Sequence, residues 1–474
     1  MNLNRRRSLF YERRRSNVYR MFAWALIILA GVWLTLGVRT GRVAPLFLPT
    51  PTATRVAQSY ALEGDAFFTA GKLEASIQAY QDALRIDPSN AEIQAKLARI
   101  QTYSSSVLTT DAERKQRLAE ALQSADMAVA LAPDDSNAHA IRSFVLDWNA
   151  SAAVTTAERQ SLLLEADREA TRALQLDPQN VLAQAFYAEI LLDEQKWVQA
   201  EQVIVVAAER GPDVMDVHRI YGLILESTLR YSQAIEEYQK AIEINPNLTF
   251  LYISVGQNYR QLAFKSEIPS QSDQLYAQAL DYFAKAADLN KQLEIKDPLP
   301  YIAIAKTYAR KGDYFAAALN IKKAVEFDTS NPDLYGQMGA IYYQARNYES
   351  SIYASKCAVE GCTPDESCLA RYDVTCDPAQ GYTGVSVTGL ELSPGSKDYY
   401  MYYGSALALF APRYPEYCTK VVSIMNRVQA EYGDDPIVSQ NVSTNLAVCA
   451  LVAQQQAQTP TPVPTPTALP TPRP

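Results

Sequence analysis

Five prolines recur at regular intervals along the chain and limit what it can fold into. They are Pro88, Pro133, Pro178, Pro212 and Pro246, separated by 45, 45, 34 and 34 residues. Proline has no backbone N–H and clashes with the preceding helical turn, so each one predicts the end of a helix. A stop that returns every 34 residues indicates a solenoid of helical hairpins. Such a fold buries its core only where neighbouring units stack, and it usually binds other molecules.

Small and aromatic residues recur in phase with these stops. In the unit 215–248, Gly222 and Ala234 fall where two helices must approach closely, and Tyr231 and Tyr238 fill the gaps between turns. The same pattern returns in four other units: 57–90, 181–214, 298–331 and 332–361. At these residues the chain resembles the tetratricopeptide repeat family, a 34-residue helix-turn-helix.

The resemblance implies an all-α protein, a right-handed α-solenoid of eight to nine helical hairpins. One transmembrane helix is predicted at the N-terminal side of this solenoid. The eight predicted repeats fill residues 57–361, with bounds at 57–90, 91–135, 136–180, 181–214, 215–248, 249–297, 298–331 and 332–361. A Cys-rich irregular segment is expected at 362–396, with a small β-hairpin within 382–392. A degenerate ninth repeat and a capping helix are expected at 397–457, because the last apolar face must be covered.

Three repeats, those that begin at residues 91, 136 and 249, gain eleven residues between their helices. Thr110 with Glu113 and Thr155 with Glu158 predict capping boxes in two of them. A serine cap is expected in the third, within 269–272. Eleven residues make about three helical turns, so taller hairpins are predicted. Neutral drift in length and a docking edge both remain open as explanations.

The next two stop positions of the repeat pattern hold other residues. Lys291 and Thr329 stand where prolines stand in the earlier repeats. The interval from Pro246 to Lys291 is again 45 residues. The pattern therefore predicts that the longer interval is a regular feature of the extended repeats.

A charge-free apolar stretch, residues 21–38, predicts a transmembrane signal-anchor helix. Seven arginines precede it within the Arg-rich segment 1–20, so the positive-inside bias places the N-terminus in the cytoplasm. The remainder, after a Pro/Thr linker at 39–56, is expected outside the cytoplasm, at the cell membrane of a bacterial envelope. A cleaved signal peptide is a weaker alternative, because the apolar core is long and Pro45 disfavours cleavage.

The charge distribution argues against one class of partner. The chain carries a net charge of −8, and residues 1–20 contribute +6, so the residues after the apolar stretch sum to −14. Binding nucleic acid needs a basic surface, so nucleic acid is not expected as a partner. The Thr/Pro-rich segment 458–474 predicts a disordered tail, either simply solvated or in contact with the cell wall.

Six cysteines lie in the last quarter of the chain: Cys357, Cys362, Cys368, Cys376, Cys418 and Cys449. Clustered thiols on an exported segment favour three disulfides, and sequence alone leaves their connectivity open. Cys418 and Cys449 lie on the last two predicted helices and are one candidate pair. Zinc is a weaker alternative, because only Cys357 and Cys362 have the spacing of a zinc site.

No catalytic motif occurs in the chain. H-E-x-x-H, G-x-G-x-x-G, the Walker lysine and G-x-S-x-G are all missing from the sequence. The two histidines, His139 and His218, fall in first helices of repeats, where surface positions are expected. We therefore predict a protein that is not an enzyme, with no cofactor and no metal.

In the resembled family, ligands usually lie along the first helices of successive repeats. The inward positions of those helices here predict a partner-binding set: Arg99, Tyr103, Asp147, Trp148, Glu189, Asp193, Glu226, Gln257, Arg260, Lys306, Arg310 and Tyr343. The predicted function is a membrane-anchored extracytoplasmic scaffold that binds a protein or peptide partner on this face. The alternatives are an envelope protein that binds wall polymer or carbohydrate, and an enzyme with an unrecognised site in the Cys-rich end.

Overall fold

The computed structural model describes residues 17–40, 42, 55–108 and 110–458. These residues form α-helices, one short 3₁₀ turn at Pro378–Gln380 and no β-strand, so the predicted all-α class is confirmed. The helices are α1 Val18–Arg39, α2 Ala57–Thr69, α3 Leu73–Ile86, α4 Ala91–Ser105, α5 Asp111–Leu131, α6 Ser136–Ser151, α7 Thr156–Leu176, α8 Val181–Asp193, α9 Trp197–Arg210, α10 Met215–Ser227, α11 Tyr231–Ile244, α12 Thr249–Lys265, α13 Pro269–Gln292, α14 Leu299–Lys311, α15 Tyr314–Phe327, α16 Pro332–Gln344, α17 Tyr348–Val359, α18 Pro364–Tyr372, α19 Lys397–Phe410, α20 Tyr417–Tyr432 and α21 Pro436–Gln458.

The chain divides into two compact units, Met1–Arg55 and Val56–Pro474. The first unit contains α1, which buries none of its side chains and exposes Trp24 and Trp33. This helix is long and apolar enough to cross a membrane, so the predicted N-terminal apolar helix is confirmed. The predicted segments 1–20, 39–56 and 458–474 lie wholly or mostly outside the described residues.

In the second unit, eight helical hairpins occupy the eight predicted repeats, from α2 with α3 to α16 with α17. Glycines let the two helices of a hairpin approach closely. A Cβ on Gly64 would lie 2.7 Å from the Tyr80 ring, and one on Gly222 would lie 3.0 Å from the Tyr238 ring. Both distances are shorter than an ordinary carbon–carbon contact. The aromatic ring of the second helix therefore lies directly on the backbone of the first.

A recurring hydrogen bond ties five of the repeats to the stop residue that precedes them. The residue six positions after the stop reaches back to the carbonyl oxygen of the stop residue. The pairs are His139 with Pro133 (2.9 Å), Gln184 with Pro178 (2.9 Å), His218 with Pro212 (2.9 Å), Tyr252 with Pro246 (2.8 Å) and Tyr335 with Thr329 (2.9 Å). Carbonyl groups at a helix end lack partners within the helix, so this bond satisfies one of them.

The extended repeats have taller hairpins, as predicted. The second helices α5 and α7 have 21 residues each and α13 has 24, whereas α11 has 14. Thr110 and Thr155 each accept the predicted backbone N–H, at 3.3 and 3.2 Å. The second hydrogen bond of each predicted capping box, in which the glutamate accepts the N–H of the N-cap residue, differs. The Glu113 carboxylate accepts from the Thr110 hydroxyl, and Glu158 accepts from the N–H of Val154.

The predicted serine cap in the third extended repeat is wrong. Helix α13 begins at Pro269, and its N-cap residue Ile268 makes no side-chain cap bond. Proline suits the first helical position, because its φ is already helical and the missing N–H would have no partner there. Ser272 instead donates to the carbonyl of Ala263 at 2.8 Å, which ties α13 to α12.

All six cysteines are paired, as Cys357–Cys362, Cys368–Cys376 and Cys418–Cys449. Three disulfides and the pairing of the last two cysteines agree with the sequence-based prediction. The predicted ninth repeat is the hairpin of α19 and α20, and α21 packs on both. Val438, Val442 and Val452 bury one face of α21, which is therefore a capping helix although its length and composition would also suit a membrane span.

The predicted β-hairpin at 382–392 is wrong. Val387 pairs with Cys362 and Tyr382 pairs with Asp377, each as an isolated bridge, and Leu390 donates to the carbonyl of Ala358 at 2.8 Å. The segment therefore lies across the end of α17, whose carbonyl groups offer nearer partners than the segment itself.

The Cys-rich segment was predicted to be irregular, and it differs from that prediction in one place. It contains the helix α18, whose N-terminus carries a complete capping box made by Thr363 and Glu366. The threonine accepts the N–H of Glu366, and the glutamate accepts the N–H of Thr363. These two bonds satisfy donors at the helix start and let a short helix form between two disulfides.

Candidate partner-binding surface

The first helices of successive repeats form an inner layer of the solenoid, in which α4, α6, α8 and α10 contact one another. Ten of the twelve predicted partner-binding residues fall into two stretches on these first helices, and Glu226 and Tyr343 lie outside both. We call the set on α4, α6 and α8 the closed stretch: Arg99, Tyr103, Asp147, Trp148, Glu189 and Asp193. We call the set on α12 and α14 the basic stretch: Gln257, Arg260, Lys306 and Arg310.

The closed stretch contains an ion pair between distant repeats. Arg99 on α4 donates through Nε to Asp216 Oδ1 on α10 at 3.1 Å and through a second nitrogen to the other oxygen. The Tyr103 hydroxyl also donates to Asp216, which is completely buried. Burial alone would raise the pKa of Asp216, but the Arg99 charge and the Tyr103 hydrogen bond outweigh it and hold that pKa below its usual value. Asp216 is therefore a buried carboxylate.

A second buried ion pair joins α10 to α8. Arg219 donates to both oxygens of Glu189, at 2.9 and 2.6 Å. Its guanidinium lies 5.4 Å from the centre of the Tyr103 ring, 5.6 Å from that of Phe144 and 5.8 Å from that of Trp148. The Trp148 indole N–H donates to Glu189 at 3.3 Å. This bidentate pair within aromatic faces is the geometry that arginine forms best.

Contacts from the first two repeats to the end of the fifth and the start of the sixth close the same region. The Tyr103 ring stacks on Phe250 of α12, with ring centres 5.4 Å apart. Asn247 donates to the carbonyl of Thr69 at 3.1 Å, across 178 residues of chain. A Cβ on Gly71 would lie 2.0 Å from the Asn247 carbonyl, and φ there is +76°, so only glycine fits this contact. The inner face of the first five repeats is thus covered by the protein itself.

Three carboxyl groups lie together at one edge of the closed stretch. Asp147 is fully buried, and one of its oxygens has no hydrogen-bond partner among the described residues. Burial raises the pKa of Asp147 well above its usual value, and the nearby charges of Asp193 and Glu189 raise it further. Burial and the Glu189 charge also raise the pKa of Asp193, which accepts a hydrogen bond from Ser151 at 3.3 Å. The folded protein therefore holds a proton on Asp147 more tightly than an exposed aspartate would.

Asp216 and Arg219 were not among the predicted site residues. They stand three positions apart on α10, and each is followed directly by a residue of the core, Val217 and Ile220. Charged side chains spaced by one helical turn among core residues are the signal that could have found them. Their partners, however, come from repeats that the local pattern does not connect to α10.

The two histidines do not occupy surface positions, so that expectation is wrong. His218 is 5% exposed and lies 2.7 Å through Nδ1 from Glu237, and His139 lies 2.6 Å through Nδ1 from Glu169. Burial alone would lower the pKa of His218, but the hydrogen bonds to Glu237 and to the Pro212 carbonyl outweigh it and raise that pKa. Both rings have an acceptor at each nitrogen and act as ties between helices.

Glu226 lies on the inner side of α10 and is held within the protein. It accepts hydrogen bonds from the Tyr238 hydroxyl at 3.1 Å and from the Asn258 amide at 2.9 Å. Burial raises the pKa of Glu226. This residue links the fifth repeat to the sixth and presents little surface to a partner.

The basic stretch borders a cavity of about 350 Å³ between α12, α14 and the end of α4. Gln257, Arg260 and Lys306 line it, together with Asp297 at its edge. Burial and the Arg310 charge lower the pKa of Arg260 to about 10. The Lys306 side chain reaches solvent at the cavity mouth, yet surrounding protein atoms and the Arg260 charge lower its pKa.

The last two predicted residues lie further from that cavity. Arg310 is exposed, and its guanidinium lies 5.0 Å from the centre of the Phe264 ring. Tyr343 on α16 borders a separate cavity of about 400 Å³ between α19 and α21. Its ring packs against Tyr348 and Tyr402, with centres 5.3 and 5.1 Å away.

The described part of the chain holds no group of three His, Cys, Asp or Glu side chains placed to bind a metal ion. The cysteines are in disulfides and the histidines are held by glutamates and turn carbonyls. What the inner face offers is a set of charged, amide and aromatic side chains, which suits recognition by contact.

Two family models match the chain. One is described as TPR repeat and covers residues 64–101; the other is described as tetratricopeptide repeat and covers residues 220–248. The chain contains tetratricopeptide repeats. The matched segments contain Gly64 with Tyr80 and Gly222 with Tyr238, the two glycine–tyrosine contacts described above. No curated protein sequence matches this repeat protein.

Solved structures with the same fold include the human IFIT1 dimer with m7Gppp-AAAA, with a TM-score of 0.50, 15% identity and coverage of 87% of this chain and 92% of that one. The human IFIT1 dimer with PPP-AAAA matches at a TM-score of 0.50 and 14% identity, covering 85% and 92%. A thermophilic TPR protein of Thermus thermophilus matches at a TM-score of 0.36 and 18% identity, covering 43% of this chain and 98% of that one.

Proposed function

We propose that this protein is a membrane-anchored scaffold that binds a protein partner outside the cytoplasm, through the inner face of its repeats. Tetratricopeptide repeats suggest protein–protein interaction, and the proposal adds a place on the solenoid. The observation that carries it is the contrast between the two stretches. The closed stretch already contacts its own chain, whereas the basic stretch borders an open cavity with side chains free to meet a partner.

The partner contacts are therefore assigned to the basic stretch and to Tyr343 beyond it. Gln257 and Lys306 line the cavity, and Arg310 stands exposed one helical turn further along α14. Arginine and aromatic side chains commonly contribute most of the energy at an interface. Arg99, Tyr103, Asp147, Trp148, Glu189, Asp193 and Glu226 remain predicted contacts, and in this structure they bind other residues of the chain.

The extracytoplasmic location rests on three features. The apolar helix α1 exposes its side chains, seven arginines precede residue 21, and all six cysteines form disulfides. Protease added to intact cells or spheroplasts tests this arrangement. We expect cleavage within residues 55–458 from outside; complete protection until lysis would contradict the proposed orientation.

The RNA ligands named with human IFIT1 are not proposed for this chain. The residues after the apolar stretch carry a net charge of −14, which repels a polyanion. The basic stretch offers only three cations, whereas nucleic-acid surfaces neutralise several phosphates at once. Binding is also proposed over catalysis, because the polar side chains of the closed stretch bind one another.

The function is tested by amine-reactive crosslinking in intact cells that express the full chain, with identification by mass spectrometry. Lys306 lies at the cavity mouth, and Lys115 is exposed on α5, so the two lysines compare the inner face with the outside. We expect a recurrent protein crosslinked at Lys306 and not at Lys115. Retention of the purified protein on wall polymer, with no protein crosslinked at Lys306, would favour an envelope polymer as the ligand instead.

A further inference from the structure

The cavity of the basic stretch holds two cations that lack an anionic partner. Arg260 makes one hydrogen bond, to the Ala303 carbonyl at 3.4 Å, and its Nε has no partner among the described residues. Its guanidinium lies 5.7 Å from the centre of the Phe283 ring. Lys306 forms no ion pair within the described part of the chain. Elsewhere on the inner face, each buried arginine has a carboxylate, as Arg99 and Arg219 do.

A buried guanidinium nitrogen without an anion nearby is unfavourable, so the placement of Arg260 beside a second cation calls for a physical reason. The neighbouring carboxyl groups form no ion pair with either cation. Glu226, whose charge acts on Arg260, accepts hydrogen bonds from the Tyr238 hydroxyl and the Asn258 amide instead. Asp297 lines the same cavity but binds the Asn290 amide at 3.0 Å and the Leu299 N–H at 2.8 Å. Asp333 accepts a hydrogen bond from the Tyr399 hydroxyl at 2.8 Å. A negative group from outside the chain would complete this site.

The walls of the cavity indicate what carries that negative group. Ile253, Leu299 and Ile302 provide apolar walls, and Ser254 and Gln257 provide polar groups beside the cations. A free inorganic anion would leave the apolar walls in water. A carboxylate on a peptide with apolar neighbours would bury them and pair with the cations.

The charge in the cavity distinguishes a carboxylate from a phosphate. The two cations face a site that also contains the carboxyl group of Asp297, so the surplus positive charge is small. A carboxylate brings one negative charge, whereas a phosphate brings nearly two. A single carboxylate therefore matches the site, and a phosphate exceeds it.

We propose that the cavity between α12 and α14 binds the side-chain carboxylate of an acidic residue in an extended, otherwise apolar segment of the partner. This inference rests on the proposed function and names the chemistry that the basic stretch recognises. Arg260 would bind the carboxylate through the part of its guanidinium that lines the cavity, Lys306 would close the mouth over it, and the apolar walls would contact the flanking side chains.

The test uses the full-length protein in nanodiscs and two peptides that carry an uncharged fluorophore on the N-terminal amine, dansyl-Ala-Val-Glu-Val-Ala-amide and the same peptide with Gln in place of Glu. Both ends are blocked, so the glutamate side chain is the only carboxylate. Fluorescence anisotropy gives the two dissociation constants. A charge-assisted hydrogen bond contributes about 1.5–3 kcal/mol, which corresponds to at least about tenfold in affinity. We expect that preference for the Glu peptide.

Three variants locate the binding. Lys306→Gln and Arg260→Gln should each weaken the Glu peptide by about tenfold and leave the Gln peptide unchanged. Lys115→Gln removes the same unit of charge from exposed α5 and should change neither. Because Lys306 reaches solvent, its variant stays informative even where Arg260→Gln disturbs packing on Phe283. Equal binding of the two peptides, or wild-type binding by Lys306→Gln, would overturn the inference.

A competition with inorganic phosphate distinguishes the two anions. We expect phosphate to displace the Glu peptide only weakly; displacement at concentrations well below those of acetate would contradict the carboxylate assignment. The experiments distinguish failure of this inference from failure of the proposed function. A partner crosslinked in cells at Lys306 with no preference for the Glu peptide removes this inference alone, whereas no protein at Lys306 removes the scaffold role.

Discussion

Arg99 in the second repeat donates to Asp216 in the fifth at 3.1 Å, across 117 residues of chain. Solenoid repeats usually contact only their neighbours, so an ion pair at this separation changes how stability is distributed. The pair joins two repeats directly and covers the inner face between them. The inner face of the first five repeats is therefore covered by the chain itself, and we assign partner binding to the repeats that follow.

Removing one member of this pair should be strongly destabilising. In Asp216→Asn, Arg99 keeps its charge in a buried site and loses its counter-ion, which costs about 3–5 kcal/mol. Urea unfolding of the full chain measures this cost. The matched control is Asp82→Asn, because its partner Arg85 is 71% exposed and such pairs contribute at most about 1 kcal/mol. Equal losses in the two variants would mean that the buried pair does not hold the repeats together.

Replacing Asp147 should have the opposite effect on stability from replacing Asp216. The pKa of Asp147 is raised in the folded state, so the folded protein binds a proton more tightly than the unfolded chain, and stability falls as pH rises from about 4. Asp147→Asn removes this penalty and should stabilise the protein at pH 7 by on the order of 1 kcal/mol, with little effect below about pH 4. Thermal unfolding of the wild type and of Asp147→Asn between pH 4 and pH 8 measures this difference. A loss of stability in Asp147→Asn at pH 7 would show that the ionised carboxylate stabilises the folded protein.

Because of His218, the stability of the protein should depend on pH near neutrality. The pKa of His218 in the folded protein is raised above the unfolded value of about 6.5. The stability that the protonated ring contributes is therefore fully present below that value and is lost as pH rises through the folded pKa. The chain supplies a natural replacement, because Gln184 makes the same bond to its stop carbonyl, at 2.9 Å. His218→Gln should keep that bond and lose the pH dependence. A pH profile unchanged from that of the wild type would contradict the role of the Glu237 pair.

The disulfides should differ in what their removal costs. Cys418 and Cys449 are 31 residues apart, whereas Cys357 and Cys362 are only 5 apart. A disulfide restricts the unfolded chain more when it closes a longer loop, so replacing both Cys418 and Cys449 by serine should cost about 3 kcal/mol and the shorter pair less. Urea unfolding, followed by a probe in α21, measures this difference. If the shorter loop costs more, native packing around Cys357 outweighs the loop effect.

The repeat pattern could be read from the sequence because helix ends are local. Pro88 follows the end of α3, and Thr329 follows the end of α15 in the same way, although it is not proline. Lys291 shows where the pattern fails: it lies within α13, which continues to Gln292. Lysine has an N–H and fits a helix, so the helix runs past the position where proline would have ended it.

The contacts of the closed stretch could not be read in this way. The positions of Arg99 and Tyr103 on the inner face follow from helix periodicity, but their partner Asp216 depends on how far five hairpins rotate as they stack. That rotation is the sum of many small packing angles, and no residue type marks it. The unpaired cations Arg260 and Lys306 were placed in the groove from sequence, yet their lack of anions is visible only once every neighbouring carboxyl group is accounted for.

The most direct test of the account is a photo-crosslinking amino acid placed at Gln257, which lines the cavity of the basic stretch. Irradiation of intact cells should join the chain to one protein partner from this position. The same amino acid at Lys115, exposed on α5, should give no such product. A partner captured from Lys115 and not from Gln257 would contradict the central claim that the open inner face binds it.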